Sequence, residues 1–451
     1  MEENIKRRSF LKELSAGTLA SSLLLSGCST ADENKAIAKR EKGAMEKRIN
    51  PNSGDSVSLL GYGCMRWPTI DGERNNPLDQ DAVNQLVDHA IANGINYFDA
   101  APVYCKGECE KVTGIALSRH PRESYFIATK MSNFSDMSRE GSINMYRNSL
   151  KYFNTDYLDY YLLHSLGNSK SSFNKRFIDN GVLDFLVEER KKGHIRNLGF
   201  SFHGTGEAFD YYLSLHDKYH WDFVQIQMNY ADWRNAAGRN CNAEYLYNEL
   251  DKRGIPVVIM EPLLGGRLAK MVQPLVERLK SQRPDMSVAS WAFRFVGSYP
   301  RVLTALSGMT YVEHLNDNIN TYSPLEPCTQ EELEMLESVA KAMLTYPTIP
   351  CNSCQYCMPC PYGIDIVSIF NYYNKCVNEG NVAYSSSDDN YRKARRKFLI
   401  GYDRAVDDLR QAKMCISCGE CTSHCPQNIK IPFELGKIDK YVEMLKQGLE
   451  F

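Results

Sequence analysis

From about residue 55 to residue 320, eight short apolar runs alternate with segments of helical period, and this alternation constrains the fold more than any other feature of the chain. The runs are VSLLGYG, INYFDAA, YFIATK, YLDYYLLH, IRNLGFS, DFVQIQMNY, PVVIMEP and RVLTALSG, with helical stretches such as LDQDAVNQLVDHAIANG and SINMYRNSLKYF between them. Eight β/α units over roughly 270 residues predict a closed (β/α)8 barrel; an open sheet rarely repeats its unit so evenly. No Gly-x-Gly-x-x-Gly fingerprint follows an early run, which disfavours a Rossmann domain. In such a barrel, chemistry belongs at the carboxyl ends of the strands.

Those ends carry polar residues in order: Asp99 and Tyr104 in FDAAPVY, Lys130 in IATK and His164 in LLHS. Singly, each has an ordinary explanation, since Tyr and His often pack half-buried and Asp with Lys often forms a structural ion pair. Together they suit carbonyl reduction, which needs a hydride at carbon and a proton at oxygen. A phenol with a pKa near ~10 gives up its proton reluctantly unless the anion is stabilised. Lys130 is expected to lower the pKa of Tyr104, Asp99 to hold the lysine charged, and His164 to hydrogen-bond the substrate oxygen. The set resembles the catalytic tetrad of the aldo-keto reductases, over about residues 55–320.

That resemblance implies a nicotinamide cofactor, NADP or NAD. Ser201 in GFSFHG and Gln225 in VQIQMNY stand where the family holds the carboxamide, with Phe202 or His203 where many members have Asn. Met260 replaces the tyrosine that commonly stacks on the ring. Gly265 and Gly266 in EPLLGGRLAK are expected to let the backbone approach the pyrophosphate; a flexible barrel loop is the plainer alternative. In SGMTYVEHLNDN, Ser307, Gly308 and Met309 resemble the adenosine segment before a helix, and Asn318 falls where the family places an adenine ligand. Thr310 and Tyr311 occupy positions where basic residues often grip the 2′-phosphate of NADP, so that clamp is missing. The implied substrate is a small carbonyl compound or alcohol; Trp67, Tyr230 and Trp233 are candidates for the mouth, or for packing.

A second module follows. CNSCQYCMPCP supplies Cys351, Cys354, Cys357 and Cys360, and CISCGECTSHCP supplies Cys415, Cys418, Cys421 and Cys425. The second run fits C-x2-C-x2-C-x3-C-P, and the first shortens the last gap by one residue; both predict a 4Fe-4S cluster. Zinc knuckles usually separate two C-x2-C pairs by a longer loop, and the remaining seven of the fifteen cysteines lack the spacing of a disulfide framework. In two-cluster ferredoxins the fourth cysteine of each run serves the other cluster. The expected sets are therefore Cys351, Cys354, Cys357 with Cys425, and Cys415, Cys418, Cys421 with Cys360. The 54 residues between the runs include YRKARRKFLIGYDRAVDDLRQAK, whose helical look resembles an α-helical ferredoxin insertion, its basic residues forming a solvated face. The whole resembles the ferredoxin-bearing branch of the aldo-keto reductases.

The amino terminus resembles an export signal. Arg7 and Arg8 precede Ser9, Phe10, Leu11 and Lys12, as in a twin-arginine signal, and LSGC, ending at Cys28, resembles a lipobox. The apolar stretch between is too short and polar to span a bilayer. A disordered basic tail followed by a weak helix is the plainer alternative. Residues 1–28 are thus expected as signal, 29–54 as a polar tether, 55–325 as barrel and 326–451 as the iron–sulfur domain. The signal implies an exported, periplasmic or cell-envelope protein, lipid-anchored at Cys28 and otherwise free of the membrane. With 43% hydrophobic residues, 24% charged and a net charge of −2, nothing suggests nucleic acid.

Hydride moves two electrons and each cluster one, so three functions stay open. The clusters exchange electrons with a redox partner protein; or they only stabilise a cap on a self-sufficient reductase; or the barrel is inactive and the chain is an electron carrier or binding subunit.

Overall fold

The computed structural model describes residues 43–72, 76–236, 238 and 240–448. The proposed signal, with Arg7, Arg8 and Cys28, lies outside them. Among the described residues no helix is long and apolar enough to cross a membrane.

A hairpin opens the fold. Strands β1 (Lys47–Ile49) and β2 (Ser56–Ser58) pair antiparallel, Arg48 opposite Val57. Residues 43–54, counted with the polar tether on composition, are therefore part of the folded body. The reason is specific: the Arg48 guanidinium donates to the carbonyls of Gly297, Tyr299 and Val302, and Asn50 is buried and donates to the Tyr160 hydroxyl and to Asn197.

Eight parallel strands then close a barrel: β3 (Leu60–Gly63), β4 (Tyr97–Asp99), β5 (Phe126–Met131), β6 (Leu158–Leu166), β7 (Ile195–Phe202), β8 (Phe223–Gln227), β9 (Val257–Met260) and β10 (Val302–Ser307), with β10 pairing back to β3. Each coincides with one of the eight apolar runs. Alternate residues face opposite sides. Tyr97, Ala128, Tyr160, Leu162, Phe223, Val258 and Leu303 fill the interior, while Phe98, Ile127, Tyr161, Leu163, Phe200 and Val224 join the larger core under the surrounding helices.

After the barrel, the helix Gln330–Met343 begins with a capping box, Thr329 and Glu332, and Glu332 also receives the buried guanidinium of Arg294 at 2.6 Å. Three further helices, Ile366–Asn378, Tyr391–Ala405 and Ile431–Gln447, pack on one another through Phe370, Phe398, Tyr402, Leu435, Ile438 and Val442. The basic stretch is the helix Tyr391–Ala405: it buries Ala394, Phe398 and Tyr402, four residues apart, and turns Arg392, Lys393 and Arg396 outward.

Candidate active site

Lys130 organises the carboxyl end of the barrel. It is fully buried on β5; its ammonium donates to Asp99 Oδ1 at 2.5 Å and to the Ala100 carbonyl at 2.7 Å. The same nitrogen lies 4.8 Å from the centroid of the Tyr104 ring, which comes from the turn after β4. Asp99 keeps Oδ2 without a protein partner. Burial raises its pKa, opposed by Lys130. Tyr104 meets His164, on β6, edge to face at 5.7 Å between ring centres. The four expected residues are thus neighbours around one point.

One expectation about them changes. Burial pushes the Tyr104 phenol well above its ordinary pKa, and Tyr356, Asp99, Cys109 and Glu261 act in the same direction. The Lys130 ammonium lies 4.8 Å from the ring centre, with two of its donors directed to Asp99 and Ala100. Tyr104 therefore holds its proton at neutral pH.

His164 is held neutral. Burial lowers its pKa well below the usual value, and the charges of Lys130 and Arg176 and the ring of His203 add to the effect. Its Nδ1 lies 2.6 Å from the Ser132 hydroxyl, and its carbonyl accepts from Arg176 at 2.8 Å. In the tautomer where Ser132 donates to Nδ1, Nε2 carries the imidazole proton.

Ser201 and Gln225 are opposite each other in the β7–β8 ladder, both buried. Ser201 Oγ accepts from the Ser165 amide, while Gln225 Oε1 is buried without a partner. Phe202 packs outward on Phe209 and Tyr212, which leaves His203 as the residue of that pair near His164. Ser307 and Asn318 are buried and bonded to each other, and the Met309 carbonyl accepts from Tyr62. Of the two glycines in the loop after β9, Gly266 faces open space, but a Cβ on Gly265 would stand 2.3 Å from Asn352 Cα. The expectation that Gly265 approaches a pyrophosphate is therefore corrected: its bare face is taken by the cysteine segment. Gly308 lies against the Arg66 side chain, which donates to the Asn352 carbonyl at 2.9 Å. Trp67, Tyr230 and Trp233 pack in the wall, against Tyr62, Phe295 and Tyr299 respectively.

The cysteine segment closes the mouth from above. Asn352 also donates to Glu261 at 3.2 Å, and Gln427, after the second run, reaches Gln227 at 3.4 Å. The two runs share a backbone trace: φ is positive at Ser353 and Gln355 in the first, and at Ser417 and Gly419 in the second, the same motif positions. Burial raises the pKa of the Cys351, Cys354, Cys357 and Cys421 thiols; after it, Cys425 acts on the first three and Cys415, Cys360 and Cys418 on Cys421, while Cys421 also acts on Cys357 across the two sets. Among the described residues no three His, Cys, Asp or Glu side chains converge on a single-ion site.

Sequence reasoning passed over Arg66, Ser132, Arg176, Glu261 and Tyr356. Arg66, in the turn after β3, was the one with a usable signal: a lone base where a strand end should face phosphate. The others act through contacts between distant segments.

Comparison with known proteins identifies both halves of the chain. Residues 59–341 match the model of the aldo/keto reductase family, and residues 350–429 that of a 4Fe-4S dicluster domain. The chain is 25% identical to the uncharacterized oxidoreductase YqkF of Bacillus subtilis over 329 residues, covering 66% of this chain and 97% of that protein. It is 25% identical to L-galactose dehydrogenase of Arabidopsis thaliana, covering 67% and 98%. Among solved structures, the holo form of aldo-keto reductase AKR11C1 from Bacillus halodurans superposes with a TM-score of 0.52 at 23% identity, covering 66% of this chain and 97% of that one. An aldo-keto reductase from Klebsiella pneumoniae in complex with NADPH superposes at 0.53 and 21% identity, covering 66% and 95%.

Proposed function

Because the chain belongs to the aldo/keto reductase family, we propose that it transfers hydride between NADP or NAD and an aldehyde, ketone or sugar carbonyl, with Asp99, Tyr104, Lys130 and His164 as its catalytic residues. The observation that carries this reading is the buried ammonium of Lys130, bonded to Asp99 and lying over the ring of Tyr104 beside His164.

The reactive end of the cofactor fits this chain, since Gln225 Oε1 is a buried acceptor with no protein partner. Ser201 and Gln225 would hold the carboxamide, and Arg66 and Gly266 the phosphates, Arg66 replacing the clamp missing at Thr310 and Tyr311. The nicotinamide supplies the hydride when bound. The residues of the chain do the rest. His164 Nε2 donates to the carbonyl oxygen and orients it, and Tyr104 gives that oxygen its proton as negative charge develops there. Lys130 opposes the charge left on the phenolate, while Asp99 keeps the ammonium in place. The cap of cysteine-bearing chain excludes water.

The same reading assigns two 4Fe-4S clusters to the crossed cysteine sets; they supply one-electron transfer when bound. We take them as redox-active because the cysteine-bearing segment seats on the barrel mouth, where Asn352 bonds Arg66 and Glu261, and so expect a one-electron redox partner protein. It also assigns export by the twin-arginine route and a lipid anchor at Cys28.

Turnover of NADPH or NADH with a panel of aldehydes, ketones and sugars, and of NADP or NAD with the alcohols, tests the reductase. No turnover in either direction would contradict it. For export, Arg7 and Arg8 changed to Lys should keep the protein in the cytoplasm, and Cys28→Ala should release it from the membrane; unchanged fractionation of both would refute the signal.

A further inference from the structure

Two glycines at the barrel mouth leave room for a phosphate, and protein covers both. The bare face of Gly265, in the loop after β9, is filled by backbone of the cysteine segment: a Cβ there would stand 2.3 Å from Asn352 Cα and 2.4 Å from the Asn352 carbonyl oxygen. The face of Gly308, after β10, is filled by Arg66, whose Cδ would lie 3.0 Å from such a Cβ. The two covers are tied together, because Arg66 Nη2 donates to that same Asn352 carbonyl at 2.9 Å. Asn352 is buried and directs its side-chain amide to Glu261 Oε1 at 3.2 Å. Farther along the mouth, Asn318 donates to Ser307 Oγ at 2.9 Å, and the Thr310 hydroxyl donates to the Arg66 carbonyl at 2.9 Å. The side chains expected around the adenosine half of the site are thus bonded to protein, whereas Gln225 Oε1 at the nicotinamide end is buried without a partner.

The segment reaches this point as part of its own domain. Asn374, on the helix Ile366–Asn378, accepts from the Ile349 amide at 2.7 Å and donates to the Ile349 carbonyl at 2.8 Å, which fixes the start of the first cysteine run to that helix. Asn378 of the same helix donates to the Lys270 carbonyl of the barrel at 2.7 Å. Arg267 to Thr348 and Gln427 to Gln227 are both 3.4 Å, long for hydrogen bonds. On the β8 side, a Cβ on Gly238 would stand 2.4 Å from the Gln427 carbonyl oxygen. The seat thus depends on close backbone approach at two glycines, Gly265 and Gly238.

We propose that Arg66 is a two-position residue: in the free protein it holds the Asn352 carbonyl, and when a dinucleotide binds it turns to a phosphate, so that cofactor entry and the present seat of the cysteine segment exclude each other. The planar donors of an arginine suit a carbonyl oxygen and a phosphate alike. The dinucleotide binds only those molecules in which the segment has withdrawn from Arg66 and Gly265, and its apparent affinity is lowered by that fraction. By linkage, whatever loosens the seat tightens the dinucleotide by the same factor. After entry the segment closes again on its ties to Gln227 and Lys270, with Arg66 left on the phosphate. The exchange rests on the nicotinamide reading above and is independent of the redox state of the clusters.

The test follows NADPH binding by fluorescence, at equilibrium and by stopped flow, to the anaerobically purified full chain and to three variants: Gly265→Ala, Gly238→Ala and Arg66→Ala. Gly238→Ala loosens the seat through Gln427, so its effect reaches the dinucleotide through the segment. In the parent the observed binding rate should level off at high NADPH, at the rate of opening. In both glycine variants the plateau should rise and the affinity should tighten by ~5-fold or more, the low end of a typical coupling. Arg66→Ala should lose the plateau and yet bind NADPH more weakly, because it frees the segment and removes a phosphate ligand. A glycine variant whose iron content or far-ultraviolet dichroism departs from the parent's is set aside, and the other decides. A rate that grows linearly with NADPH in the parent and the glycine variants, or a plateau and affinity that neither glycine variant moves, would overturn the exchange. Tighter binding by Arg66→Ala would overturn the second position of Arg66. No binding in any of the four proteins would defeat the nicotinamide reading itself, and the exchange with it.

Discussion

Gly265 and Asn352 meet so closely that a Cβ on the glycine would stand 2.3 Å from the asparagine Cα. Gly265 also has φ of 68°, in the left-handed region. This contact seats the iron–sulfur domain on the barrel mouth, next to Arg66 and Glu261. Gly265→Ala should therefore lift the cysteine segment while the barrel stays folded. Limited proteolysis should cut between residues 345 and 360 faster than in the parent, with far-ultraviolet dichroism unchanged. Equal cleavage rates would show that the contact holds nothing in place.

Asp99→Asn leaves the Lys130 ammonium buried without its countercharge, and breaking a buried pair from one side typically costs ~3–5 kcal/mol. Unfolding in denaturant should show a loss of that order. Adding Lys130→Met should recover most of it, with activity still absent. A double variant no more stable than Asp99→Asn alone would mean that the pair is not the source of the loss.

Much of this architecture was legible before any coordinates. The eight strands were, because buried parallel strands are short, apolar and evenly spaced, and Asp99, Lys130 and His164 stand out as polar residues at their ends. The hairpin was not: KRINPNSG looks like a tether, and only the reach of Arg48 to Gly297, Tyr299 and Val302, some 250 residues away, makes it structure. The role of Gly265 was half legible. A glycine at a barrel mouth signals close approach, but whether ligand or protein approaches depends on where Asn352 falls, and no local pattern carries that. The direction of the Tyr104 shift is set first by burial, which requires the packed site.

Glu110 sits under the site, accepting from Thr129 at 2.5 Å and Ser149 at 2.8 Å. Burial raises its pKa from 4.5 to about 7, against the pull of those hydroxyls and Lys130. Between pH 4.5 and 7 the native carboxyl keeps a proton that the unfolded chain releases, so stability falls as pH rises through this window, by roughly 3 kcal/mol. Glu110→Gln keeps an acceptor for both hydroxyls and removes the titration. Its thermal midpoint relative to the parent should climb from pH 4.5 to 7 and then level; a constant difference would contradict the assignment.

Cys425 is buried, and the crossed ligand scheme groups it with Cys351, Cys354 and Cys357, 71 residues from Cys354 in sequence. Cys425→Ser should cost about half the iron, one of two clusters, with the barrel dichroism retained. Unchanged iron would remove Cys425 from the ligand set, and complete loss would mean that the two clusters stand or fall together.

The central claim is that Tyr104 is the proton donor to a carbonyl at this barrel mouth. Its most direct test is Tyr104→Phe, assayed for reduction of the best carbonyl substrate and, in parallel, for NADPH binding by fluorescence titration. The account predicts a rate lower by ~10²- to 10⁴-fold, the usual worth of a general acid, with NADPH affinity unchanged. A rate within twofold of the parent would contradict it.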